Sequence, residues 1–248
     1  MGIKQLFKHL IWGPRATSET YVKYLRSLGM AIGDDVCIYV PTKTTIDEQY
    51  PWMIEIGNHV KIAQGSVLLT HDYSWSVLKA ARGGAILGSS GKIKIGNCVF
   101  IGMNSIVTCG VTIGDNVIIG AGSVVTKDCI EPGVYVGAPA QRIMDLETFY
   151  QKRMAAQLRE AKALFSGYFE RYKKIPTEEV FHEYFMLFTD AETASKKTYC
   201  IEKMKLMGND MESLTYIRNN APHFAGYEEF VAYCLENMSE GPHTENLR

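Results

Sequence analysis

No stretch of this 248-residue chain approaches the roughly 20 consecutive apolar residues of a membrane-spanning helix, so an integral membrane protein is not expected. An excess of either charge sign is missing too. Lysine and arginine number 26 against 27 aspartates and glutamates, a formal net charge of −1. That leaves no strong field to gather nucleic acid or an anionic membrane. Cysteine is sparse: Cys37, Cys98, Cys109, Cys129, Cys200 and Cys234 include no CxxC pair. Their spacing suits neither a disulfide scaffold nor a zinc site, and reduced thiols packed mostly in cores are expected. A secretory leader is not expected either, because residues 1–12 carry Lys4, Lys8 and His9 among their apolar side chains. These absences point to a cytoplasmic globular protein, of a length suited to one medium domain or to a domain with an appendage.

What the chain does have is a period of six. From Ile95 it reads IGNCVF, IGMNSI, VTCGVT, IGDNVI, IGAGSV, VTKDCI, so Ile95, Ile101, Val107, Ile113, Ile119 and Val125 each open a hexad. The fifth places hold Val99, Ser105, Val111, Val117, Ser123 and Cys129, all small or β-branched. Earlier hexads in the same pattern open at Ile56, Ile62 and Leu68, with a fainter pair at Ile32 and Ile38. A helix needs an apolar residue about every 3.6 positions, and a half-buried strand needs strict alternation. A period of six fits neither. It fits short strands joined by sharp turns, each sending one aliphatic side chain inward. Three strands make a triangular coil, and stacked coils share one core. Residues 95–130 then give two coils and 56–73 give one. So few coils leave apolar flanks and open ends, which caps or partner subunits must cover.

The pattern breaks after Tyr73, because the step from Leu68 to Ile95 is not a multiple of six. A loop over 74–92, with Trp75, Lys79 and Arg82, must therefore leave the scaffold and return. Loops held by a rigid scaffold are common seats of function. His71 holds the fourth place of LLTHDY, at the corner before that loop, where its side chain is expected to point outward. Residues 2–29 read as helical. Beyond the repeat, 145–174 reads as one amphipathic helix broken by Pro176, a second is expected from Thr177 through VFHEYFMLF, and a last in GYEEFVAYCLENM. Phe181, Tyr184, Phe185 and Phe188 are read as helix–helix core. The chain is thus expected to be mainly β: an N-terminal helical cap over 1–30, a parallel β-helix over 31–144 with the inserted loop 74–92, and an α-helical extension over 145–248.

The hexads, with IGNCVFIGMNSIVTCGVTIGDNVIIGAGSVVTKD followed by GVYVGAPAQRI, resemble the hexapeptide-repeat acyltransferases, in particular the sugar and capsular-polysaccharide O-acetyltransferase branch. The resemblance covers roughly residues 30–145. It implies a left-handed parallel β-helix, acetyl-CoA as co-substrate, no metal, and a homotrimer with acetyl-CoA between neighbouring subunits. His71, in the THD motif, takes the family's place for the catalytic base. Imidazole, with an unperturbed pKa of about 6.5, suits removal of a hydroxyl proton at neutral pH. Asp72 can orient that ring, bind the acceptor or cap the turn. Asp72, Tyr73, Trp75 and Arg82 are the candidate acceptor-binding residues. For acetyl-CoA the resemblance implies Met103, the small Ala121 and Gly122, and Thr126 and Lys127 toward the nucleotide end. Relatives often place a basic residue where Gln141 stands, and Arg142 beside it is the candidate substitute. Gly65 stands where some galactoside-type relatives carry Asn, which weakens the case for galactoside or maltose as substrate.

The expected function is transfer of acetyl from acetyl-CoA to a hydroxyl of a small-molecule or saccharide acceptor, by direct attack. N-acetylation of an amino sugar or sugar nucleotide, and a non-catalytic structural or binding β-helix, are the alternatives. A zinc carbonic anhydrase on this fold would need three histidines, and the repeats offer only His59 and His71. A bifunctional nucleotidyltransferase is not expected, since no nucleotide-binding domain precedes the repeats in this sequence.

Overall fold

The computed structural model describes residues 3–237. Residues 1–2 of the expected cap and 238–248 of the expected extension, Met238 of the last helical motif included, lie outside them. The chain divides into two compact units between Tyr150 and Gln151.

The first unit opens with α1 (Ile3–Trp12), a short 3-10 turn, and α2 (Ser18–Ser27). A capping box between Thr17 and Thr20 starts α2, satisfying amide groups the first turn leaves unpaired. Three strands then make the first coil: β1 (Ala31–Ile32), β2 (Cys37–Ile38) and β3 (Thr45–Ile46). The second coil is β4 (Ile54–Ile56), β5 (Lys61–Ile62) and β6 (Val67–Leu68). An insertion follows, holding β7 (His71–Asp72), α3 (Trp75–Ala81) and β8 (Ser89–Ser90). The third coil is β9 (Ile93–Ile95), β10 (Phe100–Ile101) and β11 (Ile106–Val107), and the fourth is β12 (Thr112–Ile113), β13 (Val117–Ile119) and β14 (Val124–Val125). β15 (Gly133–Val136) continues the stack, and β16 (Gln141–Met144) folds back antiparallel on it.

Every coil-to-coil pairing is parallel. Register stacks like on like: Ile38, Ile62, Ile101 and Ile119 on one face, and Ile46, Leu68, Val107 and Val125 on the next. All eight are buried in one core, which Tyr21, Val22 and Leu25 of α2 share. Each fully buried side chain of this kind stabilises the stack by about 1.5–3 kcal/mol.

The other hexad places now have physical roles. The third-place side chains form a ladder along one corner: Asn58, Asn97 and Asp115 Oδ1 accept from the backbone N–H of Asp34, Asn58 and Asn97, one coil before each. At a second corner Ser66 and Ser105, both fully buried, donate to the carbonyls of Gly102 and Gly120 in the next coil. A second-place glycine is required by close approach. A Cβ on Gly57 would lie 2.6 Å from the carbonyl oxygen of Gly96. The first coil is the irregular one. It carries Pro41 and Pro51, each opening a 3-10 turn at a corner, so its strands do not recur at sixes.

In the second unit Phe165, Phe181, Phe185, Phe188, Cys200 and Phe230 form a separate core. α4 (Leu146–Tyr172) is followed by α5 (Ala191–Ala194), α6 (Thr198–Met204), α7 (Asp210–Asn219) and α8 (Tyr227–Glu236). The single helix expected from Thr177 is not there. Two 3-10 turns, Glu178–Phe181 and Phe185–Leu187, stand in its place. Aromatic residues at close spacing prefer the ring stack to a regular helical face: Phe181 meets Phe188 and Phe230 at 6.3 and 5.0 Å. The cysteines also differ from expectation, since Cys98 is exposed and only Cys129, Cys200 and Cys234 are buried.

Candidate active site

The third face of the second coil ends where the chain departs. Leu69 N–H still bonds the Val107 carbonyl at 3.0 Å, and Gly91 N–H returns to the Thr70 carbonyl at 2.8 Å. Between these points β7 and β8 pair antiparallel, His71 opposite Ser90 and Asp72 opposite Ser89. The insertion is thus a closed excursion with a helix in it, and its base fixes the backbone of His71.

His71 does not project freely as its corner position suggests. Its side chain is 14% exposed, and Nδ1 lies 2.6 Å from Oδ2 of Asp47, whose side chain is 6% exposed. Asp47 belongs to the coil before, just past β3, where its N–H bonds the Leu68 carbonyl at 3.0 Å. Register alone brings it under Thr70 and His71. Oδ2 also accepts from Thr70 N–H at 3.0 Å and from the Thr70 hydroxyl, while Oδ1 accepts from Gln49 N–H at 2.9 Å. Burial acts to raise the Asp47 pKa, but the bonds from Thr70, Gln49 and His71 outweigh it and hold the carboxyl below its ordinary range. An ionised carboxylate has no proton to give, so Nδ1 carries the hydrogen, and it is Nε2 of the neutral ring that holds the lone pair. Two rings flank the imidazole edge-on, Tyr50 and Tyr73, each with its centroid 5.2 Å away. Tyr73 is braced by its hydroxyl, which donates to Gln49 Oε1 at 3.2 Å.

Asp47, and not the expected Asp72, orients the ring. The Asp72 carboxylate accepts from Ser74 N–H and Ser89 Oγ, both at 2.8 Å, so it caps the turn of the insertion. Those bonds lower its pKa. Adjacent side chains on β7 point to opposite sides, which is why the neighbour in sequence loses to one a coil away. Trp75 begins α3 and Arg82 follows it, exposed.

Met103, Ala121 and Gly122 come together at the corner after the second face. Gly122 N–H bonds the Met103 carbonyl at 2.8 Å. Thr126 and Lys127, both exposed, occupy the corner after β14, on the same edge of the prism as His71. Arg142 is committed elsewhere: Nε and Nη2 donate to the Pro132 carbonyl at 3.2 and 2.7 Å. Both bonds go to one carbonyl, and the side chain is exposed. Among the described residues no group of three or more His, Cys, Asp and Glu side chains is placed to hold a metal. His59 pairs with Asp35 at another corner.

Asp47 and Tyr50 escaped sequence reading because the first coil breaks the count of six. The one signal was Thr45-Ile46-Asp47, an inward aliphatic followed by an acid.

Residues 92–127 match the family described as bacterial transferase hexapeptide (six repeats). The chain is 39% identical over 150 residues to Protein CapG of Staphylococcus aureus, covering 60% of this chain and 83% of that protein. It is 34% identical over 146 residues to galactoside O-acetyltransferase of Escherichia coli (strain K12), covering 58% of this chain and 66% of that one. Among solved structures it is similar to a maltose O-acetyltransferase from Clostridium difficile 630, at 31% identity and a TM-score of 0.38, over 51% of this chain and 75% of the other.

Proposed function

From the premise that the chain belongs to the hexapeptide-repeat acetyltransferases, in their sugar O-acetyltransferase branch and with their left-handed β-helix, we propose that it moves acetyl from acetyl-CoA to a hydroxyl of a sugar or surface-polysaccharide unit, with His71 as general base. The observation that carries this is the 2.6 Å contact between His71 Nδ1 and the buried carboxylate of Asp47, which leaves Nε2 of the neutral ring as the acceptor.

The acceptor oxygen attacks the thioester carbonyl as its proton passes to Nε2. The imidazolium so formed is stabilised by the ionised Asp47. Collapse of the tetrahedral adduct breaks the carbon–sulfur bond, and the leaving CoA thiolate recovers the proton from Nε2. Asp72, Tyr73, Trp75 and Arg82 frame the acceptor. Met103, Ala121 and Gly122 offer a backbone edge for the pantetheine, and Thr126 and Lys127 meet the nucleotide end. With Arg142 held by Pro132, Lys127 is the cation for phosphate, acting as a point charge.

His71 and the Met103–Gly122 contact lie on two different edges of one prism. This supports a homotrimer in which neighbouring copies complete each site. A reaction drawing on acetyl-CoA fits the cytoplasm, and the balanced charge offers no field to gather nucleic acid.

The test compares wild type with His71→Ala. Acetyl-CoA at a hundred times its Kd should stabilise both by about 2.7 kcal/mol in thermal melts. Only wild type should release CoA with a panel of sugars and amino sugars. A variant with near-normal kcat would remove His71 from the chemistry.

A further inference from the structure

His71 is the middle of a chain of five rings. Beyond Tyr50 lies Trp52, its centroid 5.6 Å from the Tyr50 ring, and beyond Tyr73 lies Trp75 at 6.0 Å. With the two 5.2 Å contacts to the imidazole, the rings run Trp52, Tyr50, His71, Tyr73, Trp75. Two come from the corner that carries Asp47, and two from the insertion. Trp52 is 65% exposed and Tyr73 58% exposed, so neither adds much to a core. Aromatic side chains in contact with a reacting group from two separate segments, each with one ring largely exposed, offer contact to a ligand longer than one ring.

We propose that this strip binds a chain of sugars, with an internal unit over His71 and its neighbours on Tyr50–Trp52 and Tyr73–Trp75. A pyranose presents a face of C–H bonds, apolar and weakly positive. Tyrosine and tryptophan present negative faces with a polar group at the edge for the hydroxyls. Neighbouring rings are tilted by 57–90°, so each meets a different part of a ligand, and a ligand that touches several of them spans several sugars. The strip therefore selects an oligosaccharide or polysaccharide over a free monosaccharide, and Tyr50 and Trp52 join the acceptor site. The assignment of the central unit rests on His71 being the base; binding along the strip does not.

The test uses one set of neutral oligosaccharides, from one to six units, with wild type, Trp52→Ala and Trp52→Phe. Binding is read by tryptophan fluorescence, and transfer by CoA release. Wild-type affinity and kcat/KM should rise with length. Trp52→Ala should lose roughly tenfold more on the longest chain than on the monosaccharide, the worth of one aromatic contact, and Trp52→Phe should recover most of it. Mass spectrometry should place acetyl on internal units. Length-dependent binding without transfer would keep the strip and overturn the acetyltransferase. Transfer without length dependence, or with terminal acetylation alone, would overturn the strip and leave the acetyltransferase. Binding of no member of the series would also overturn the strip.

Discussion

Among the described residues, two aspartate–histidine pairs share one construction. Asp35–His59 and Asp47–His71 both join residues 24 apart, one coil, and both bring Nδ1 to Oδ2, at 3.0 and 2.6 Å. Their surroundings differ. The Asp35 and His59 side chains are 40% and 36% exposed, and Asp35 also takes the Lys61 ammonium at 2.8 Å. Burial raises the Asp35 pKa, and the bonds from Lys61 and His59 more than offset it. Its charge is already answered by a lysine and screened by water. Asp47 is buried, and apart from His71 it holds only the neutral donors of Thr70 and Gln49. Its negative charge is left for the imidazole. Stacking of coils makes such pairs readily. What the carboxylate's other bonds are, and how dry they are, separates a surface contact from a candidate catalytic one.

Replacing the histidines should give the widest contrast. His71→Ala should lose on the order of 10³–10⁴ in kcat. His59→Asn should keep wild-type kcat, since asparagine tolerates the left-handed φ of +57° found there. Steady-state rates at saturating acetyl-CoA decide it, and a loss in both variants would erase the distinction. A smaller effect is expected from the acids. Asp47→Asn keeps an oxygen for Thr70 and Nδ1 but removes the charge, so kcat should fall roughly 10²-fold with KM little moved. Asp35→Asn should not show that split.

The smallest effect concerns acid stability. The folded pKa of Asp47 lies below its unfolded value, so its contribution is present above the unfolded pKa and is lost as pH falls through the folded one. Thermal melts should show wild type losing stability below about pH 4. Asp47→Asn should flatten that decline more than Asp35→Asn, whose exposed site is screened. Equal flattening would mean that burial does not distinguish the pairs.

The third and fourth coils could be read directly, because Ile95 through Val125 recur at sixes and a strand register repeats what the period states. His71 was visible for a different reason, as a member of the last hexad in frame before the count fails. Asp47, Tyr50 and Trp52 were not visible. They sit in the coil whose corners hold Pro41 and Pro51, and turns of uneven length hide the frame. The second unit was least legible, since the Phe181 to Phe188 segment turns through 3-10 geometry to stack its rings.

By itself the sequence determined that short strands stack with aliphatic residues inward, that the count of six fails after Tyr73, and that an imidazole stands in the last hexad before the break. These follow from local periodicity, which each residue carries in its own neighbourhood. Only the tertiary structure decided which acid the imidazole meets and which rings surround it. Those contacts cross from one coil to the next, and a partner 24 residues away is set by how the intervening turns close.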